Sequence, residues 1–122
     1  MSGNAVGLVM IEVERERQKH VEGWTPEHDE EHDDGDLARA AHCYRIIGNG
    51  SLGHNLPDAD QSDAGMPQGW PWAKQWWKPK TRLRNLVRAG ALYQAEIDRL
   101  ARQIAQTAEE IDALLEHEPT QR

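Results

Sequence analysis

Residues 86–114 read LVRAGALYQAEIDRLARQIAQTAEEIDAL, and this stretch decides the fold. Apolar or small residues recur in it at alternating intervals of three and four, the heptad spacing of helices that pair along one face. The positions are Leu86, Gly90, Tyr93, Ile97, Leu100, Ile104, Thr107, Ile111 and Leu114. The pattern predicts one long helix from about Thr81 to His117, in a small all-α domain of three to four helices.

The far end of this helix, beyond Leu100, has little left in the chain to pack against, because a helix of this length spans roughly 50 Å. We therefore predict two parts: a helical ligand-binding module over residues 1–100 and a helical extension for self-association over residues 101–122. The extension predicts a homodimer. Its seam would consist of Tyr93, Ile97, Leu100, Ile104, Ile111 and Leu114.

Upstream of the long helix, the pattern predicts further helices and one long loop. Residues 5–21 place valines and Met10 on one side and charged residues on the other, as an amphipathic helix does. Thr25-Pro26 is a helix start signal, and Asp36 to Ile47 has the spacing of a buried stripe. Residues 48–69 hold five glycines and two prolines, which predicts a loop. No strand is expected, beyond a short pairing at most around residues 48–72.

The composition narrows the class of protein. The chain has 122 residues, a net charge of −7 and one cysteine, Cys43, so one domain without internal disulfides is expected. The start lacks the basic segment of a signal peptide, and no apolar run is long enough to span a bilayer. We therefore expect a cytoplasmic protein that binds no membrane. The negative charge argues against binding to duplex DNA. Cys43 is expected to be a small buried residue rather than a nucleophile.

Seven acids and two histidines lie within residues 27–36. His28 and His32 would share one helix face, and so would Asp29 and Asp33, which allows either a divalent-metal site or acid–base chemistry. The alternative is a solvated acidic first turn that favours the helix dipole. The alternative is preferred, because no third ligand follows nearby. We therefore assign no metal, no cofactor and no catalytic residue.

A second cluster combines tryptophan with positive charge. Four tryptophans fall within residues 70–77, six basic residues fall within 74–88, and residues 64–95 contain no acid. Tryptophan faces beside Lys and Arg can stack a base and hold a phosphate. The other interpretation is that the tryptophans are core, since the chain has no Phe. We expect two or three of the four to be core and one or two to line a pocket. A concave site between the acidic and basic clusters is the predicted binding site.

Two stretches resemble a family of small phage and prophage proteins. Residues 22–29, EGWTPEHD, continue through Gly35 to Tyr44 in the pattern of its first motif. Its second motif is matched by WPW at 70–72, WWKPK at 76–80 and LVRAGAL at 86–92. More distantly, EGWT at 22–25 and the later Arg82, Leu86, Val87 and Gly90 are similar to the RyR repeat domain of ryanodine receptors. The chain departs from that pattern in its Gly-rich insert at 48–69 and its extended last helix.

The resemblance implies a non-enzymatic protein that binds a nucleotide-like ligand and acts in phage counter-defence by sequestering a nucleotide second messenger. Trp24, Trp76 or Trp77 would stack the base, and the basic residues would hold phosphate. The ligand-binding residues predicted in this way are Trp24, Thr25, His28, Asp29, His32, Trp72, Trp76, Trp77, Lys78, Lys80, Arg82 and Arg84.

Two other functions are consistent with the sequence. The acidic segment resembles the nucleic-acid mimicry of many anti-CRISPR proteins, so the partner could instead be a host defence protein. Third, Glu27 with Glu30, or Glu31 with Asp34, has the carboxylate spacing of MazG-like metal-dependent nucleotide pyrophosphohydrolases. The second carboxylate pair of that family is missing, because no acid lies between Asp63 and Glu96.

Overall fold

A computed structural model of the chain describes residues 6–22, 35–49 and 56–116. Within these ranges it contains three α-helices: α1 (Val6–Val21), α2 (Asp36–Gly48) and α3 (Arg82–Glu116). A 3-10 turn covers Lys74–Trp76, and the described part of the chain has no β-strand, only an isolated bridge between Asp60 and Thr81. The predicted all-α class and long last helix are confirmed. The short helix predicted after Thr25 lies outside the described residues.

The apolar core lies between α2 and the first half of α3. Leu37 and Leu92 are fully buried, and the remaining contacts are made largely by alanines, which let the two helix backbones approach closely. At Gly48 the approach is closest, since a Cβ there would lie 2.7 Å from the side chain of Leu86. Trp70 closes one end of this core and meets Tyr44 edge to face.

Residues 56–81 form a connection that folds back on the start of α3. The Gln61 N–H donates to the Lys80 carbonyl at 2.8 Å, and the Arg82 N–H donates to the Ala59 carbonyl at 2.9 Å. Asn85 is fully buried and joins the segment around Gln61 to the segment around Lys80. Its Nδ2 donates to Gln61 Oε1 and its Oδ1 accepts from the Lys80 N–H, both at 2.8 Å. The part of the predicted loop that is described is therefore held by hydrogen bonds.

Helix α1 packs on α3 through a mixed face that combines Ile11 with polar and charged residues. Ile11 meets Gly90, and Glu14 lies near Arg84 and Arg88, so α1 runs antiparallel to α3. The buried residues of α1 are Glu14, Arg15 and Gln18, whereas Val6, Leu8, Val9, Val13 and Val21 are exposed. The side of α1 that the sequence marks as apolar is therefore exposed at its valines, and the buried positions of this helix are polar or charged. The reason is that α3 presents arginines to α1, and these guanidinium groups need a carboxylate.

The two halves of α3 have different surroundings. Buried residues occur from Asn85 to Arg99, and none occurs from Leu100 to Glu116. The expectation that the end of this helix lacks packing within its own chain is confirmed for the described residues. The homodimer that this expectation suggests stays a prediction.

Candidate functional site

Three of the four clustered tryptophans belong to the core. Trp70 is buried, while Trp72 and Trp77 are partly buried and pack against the core residues. The Trp77 ring stacks on Tyr44 with centroids 4.7 Å apart, and its Nε1 donates to the Ala64 carbonyl at 2.9 Å. This agrees with the expected two or three core tryptophans. The Trp70 ring also meets Trp77, with centroids 5.1 Å apart, so Trp77 is engaged by two aromatic rings of its own chain.

Trp76 is the tryptophan that faces solvent, with 37 % of its surface exposed. Lys78 Nζ lies 5.4 Å from the Trp76 ring centroid, within the range of a cation–π contact. Lys80 is also exposed, although its backbone N–H and carbonyl are engaged by Asn85 and Gln61. Trp76, Lys78 and Lys80 are thus all exposed, and we call them the basic–aromatic surface. The Trp76 ring already has a cationic neighbour, and the role of these residues in ligand binding stays a prediction.

The predicted ligand residues Arg82 and Arg84 have different surroundings. Arg82 Nε donates to the Gly48 carbonyl at 2.9 Å, so its guanidinium binds the C-terminal end of α2, where cations are favoured. Arg84 is about half exposed and lies 3.7 Å from the Glu14 carboxylate, too far for a hydrogen bond. Arg84 thus retains donors for another anion.

Arg84 stands at the edge of a groove between α1 and α3. The groove has a volume of about 320 Å³. It is lined by four apolar side chains, which we call its apolar floor, and by three charged ones, which we call its wall. The floor is Val9, Met10, Val13 and Val87, and the wall is Glu14, Arg17 and Arg84. Sequence reasoning assigned Arg84 to the ligand but missed Glu14 and Arg17. The signal for them is a carboxylate–guanidinium pair at three-residue spacing on α1, which is too common to single out.

Two wall residues of the groove, Glu14 and Arg17, also belong to a cluster of charged side chains with Glu22. We call this cluster the charged junction. Glu14 is 3 % exposed, and Arg17 donates to both of its oxygens, from Nε at 2.9 Å and from NH2 at 2.7 Å. The same NH2 group donates to Glu22 at 2.5 Å. The hydrogen bonds from Arg17 to Glu14 are the main cause of a raised Arg17 pKa, which keeps this guanidinium charged at all working pH values.

Arg88 links this junction to the aromatic core. Its Nε is 3.9 Å from Glu14, its NH1 donates to the Lys78 carbonyl, and its guanidinium lies 5.7 Å from the Tyr44 ring centroid. The Tyr44 hydroxyl accepts the Lys78 N–H at 3.1 Å. Burial raises the pKa of Tyr44, with Lys78 and Arg88 acting against that rise. Glu14, Arg88 and Tyr44 therefore connect all three helices.

Several predicted residues lie outside the described ranges. These are Trp24, Thr25, His28, Asp29 and His32, together with the MazG-like carboxylates Glu27, Glu30, Glu31 and Asp34. Their roles in ligand binding, in metal binding and in nucleic-acid mimicry stay predictions. Within residues 6–22, 35–49 and 56–116, no group of three or more His, Cys, Asp or Glu side chains is placed to hold a metal ion.

Comparisons of the chain with protein-family models, with curated proteins and with solved structures give no match. The resemblance to phage proteins and to RyR repeats consequently stays a prediction. In the described part of the chain, no helix has the length and apolar character needed to cross a membrane.

Proposed function

We propose that the protein is a non-enzymatic binding protein that holds a small phosphate-bearing ligand of the nucleotide class in the groove between α1 and α3. One observation carries the proposal: the half-exposed Arg84 stands beside an apolar floor in a groove of about 320 Å³. That volume is at the lower end of ordinary small-molecule sites, roughly 300–1,000 Å³. The apolar floor suits the face of a base, and the guanidinium suits a phosphate oxygen pair.

The charge around the groove favours an anion even though Glu14 lines it. Both Glu14 oxygens already accept hydrogen bonds from Arg17, and Gln18 donates to one of them at 3.3 Å. Three guanidinium groups, those of Arg17, Arg84 and Arg88, lie within 4 Å of the Glu14 carboxylate, and Arg17 also pairs with Glu22. The excess positive charge is greatest at Arg84, the most exposed of the three.

The proposed role is sequestration of a nucleotide messenger in phage counter-defence. This role depends on the resemblance to phage proteins, and the ligand chemistry depends on the groove. The two parts of the proposal can therefore fail separately. Loss of the role would leave the groove a nucleotide site, whereas absence of nucleotide binding would remove both.

The test is calorimetric titration with a panel of linear and cyclic mono- and dinucleotides. Arg84→Ala should weaken binding at least tenfold, because a charge-assisted contact to phosphate contributes about 1.5–3 kcal/mol. Arg39→Ala is the matched control, since Arg39 is also half exposed but pairs with Asp36 on α2, and it should bind like the wild type. If no nucleotide in the panel binds, the proposal is wrong.

A second pair of variants locates the site. Val13→Trp fills the groove from α1, where Val13 is well exposed, and should abolish binding. Trp76→Ala leaves the groove intact and should change the affinity less than twofold. The reverse result would move the ligand from the groove to the basic–aromatic surface around Trp76 and Lys78.

A further inference from the structure

The seam of α3 runs through two halves of opposite charge. We call residues 82–99 the head half, which packs against α1 and α2, and residues 100–116 the bare half. The head half carries four arginines and two acids, and the bare half carries one arginine and four acids. Arg88 and Arg99 are buried within their own chain, so the basic residues that a second copy can meet are Arg82 and Arg84 at the start of the head half. A second α3 lying antiparallel brings these two arginines to the acidic end of the other copy's bare half. Parallel pairing would place like charges together, which is unfavourable.

The two halves also match in length, and the seam of the head half is partly accessible to a second copy. Each spans roughly 26 Å at 1.5 Å per residue, so an antiparallel partner can cover the whole bare half with its head half. The seam is partly open along the head half: Leu83 is exposed, whereas Leu86, Gly90 and Tyr93 are partly covered, with Gly48 next to Leu86 and Ile11 next to Gly90. These residues lie on the side of α3 away from the buried Arg88, Leu92 and Ala95.

We propose that two copies of the chain pair antiparallel along the full length of α3, about a two-fold axis near residues 98 and 99. Antiparallel coiled coils pack the two seam positions of the heptad against each other. With the axis at this place, five layers of paired residues lie between the start of the head half and the two-fold axis. They pair Leu83 with Leu114, Leu86 with Ile111, Gly90 with Thr107, Tyr93 with Ile104, and Ile97 with Leu100 of the second copy.

The shape of the head half fits this register. A hollow of about 160 Å³ lined by Pro57, Arg82, Leu83 and Leu86 lies where the register places Leu114 of the second copy. Leu114 is among the most exposed apolar residues of the chain. The hollow can thus receive an aliphatic side chain that has no contact in its own chain.

The layer of Gly90 and Thr107, which has the two smallest residues of the seam, lies where α1 reaches the seam. A Cβ at Gly90 would be 2.8 Å from Ile11 Cδ1, so Ile11 fills the space above this glycine. The register sets Thr107 of the second copy opposite Gly90, where a large side chain would collide with Ile11. In a parallel pair, two Gly90 positions and two copies of Ile11 would meet at one level instead.

The exposed surface is large enough to need a partner. Six aliphatic side chains of α3 from Ile97 onward are between 43 % and 71 % exposed. Together they amount to on the order of 600 Å² of apolar surface per copy, the upper end for a monomer and close to the ~800 Å² per partner of a stable interface. A second copy is the partner that offers both the charge and the hollow described above.

Disulfide trapping tests the pairing and its direction. Leu83→Cys and Leu114→Cys change exposed residues, so both variants should keep the wild-type helix content by circular dichroism. Mixed under mild oxidation, they should form a covalent dimer containing one copy of each. Each variant alone should not cross-link, because like positions lie on opposite sides of the axis and far apart. The wild type controls for Cys43, which is buried.

Two results would overturn the proposal. Self-cross-linking of Leu114→Cys alone would indicate parallel pairing and overturn the proposal. Light scattering of the wild type should give twice 13.9 kDa, and a monomer mass at all concentrations would also overturn it. If Leu83→Cys fails to fold, Leu86→Cys mixed with Ile111→Cys makes the same test one layer further along. Nucleotide binding is not needed for any of these results.

Discussion

The head half and the bare half of α3 share one heptad spacing but differ in what covers them. In the head half, one side of the helix is buried against α1, α2 and the 56–81 connection, and that side includes charged residues such as Arg88 and Arg99. In the bare half, aliphatic residues of the same type and spacing are exposed. Heptad spacing therefore identifies a helix surface that can pair with another helix. The rest of the sequence determines whether that surface is covered within the same chain.

The largest expected effect concerns the charged packing of the head half. Glu14→Ala should lower the free energy of unfolding by about 3–5 kcal/mol, because it removes the buried carboxylate next to Arg88 and leaves Arg17 with Glu22 alone. Denaturant unfolding measures the change. Glu16→Ala on the same helix is the control, since Glu16 is exposed and its pair with Lys19 contributes ~0–1 kcal/mol. Equal losses for the two variants would show that α1 is not fixed by this junction.

The next effect contrasts leucines of the two halves. Leu92→Ala should cost about 2–5 kcal/mol of unfolding free energy, since Leu92 is fully buried. Leu115→Ala, where 61 % of the residue is exposed, should cost less than about 0.5 kcal/mol at dilutions that keep the chain monomeric. A similar cost for both residues at high dilution would mean that the bare half is packed within one copy.

A charged residue substituted into the seam should separate the two copies without unfolding the head half of α3. Ile104→Glu puts a carboxylate into an apolar layer and should weaken self-association at least a hundredfold, measured by sedimentation. Ala105→Glu adds the same charge one position away, outside the heptad seam, and should leave the association within a few-fold of the wild type. Circular dichroism of Ile104→Glu should retain the head helices. An unchanged dimer in Ile104→Glu would remove the seam from the interface.

The smallest expected effect is on thiol reactivity in the head. Burial raises the pKa of the Cys43 thiol. At pH 8 the folded protein therefore has less thiolate than an exposed cysteine, and its reaction with a disulfide reagent should be slow. The sign implies that folding stability falls as the pH rises through the pKa of the unfolded thiol, because only the unfolded chain then readily loses the proton. Fast reaction of the native protein at pH 8 would contradict the buried position.

The sequence-based predictions succeeded where local periodicity controls structure. Helices α1, α2 and α3 begin and end within a residue of the expected limits, and the lack of packing beyond Leu100 follows from helix length alone. The expectation that two or three tryptophans belong to the core was also met, because a chain without Phe needs large apolar side chains. The expectation that one or two line a pocket stays a prediction.

The position of the groove could not be predicted from the same signals. Periodicity defines the two sides of α1 but not which one faces α3, and that choice depends on Arg84 and Arg88, some 70 residues away in the chain. The assignment of Trp77 and Arg82 to a ligand likewise could not anticipate Tyr44 and the Gly48 carbonyl as their neighbours. These contacts are tertiary, and no local pattern encodes them.

The hydrogen bond from Arg82 to the Gly48 carbonyl has a consequence for how the chain can vary. It brings the end of α2 to the start of α3, so the connection of residues 49–81 departs from and returns to the same place. Doubling the length of a connection closed in this way costs only ~0.6 kcal/mol of loop entropy. Changes in the length of this connection therefore need not displace either helix, provided that they spare the residues that pack on the core or pair with α3, such as Trp70, Trp77 and Gln61.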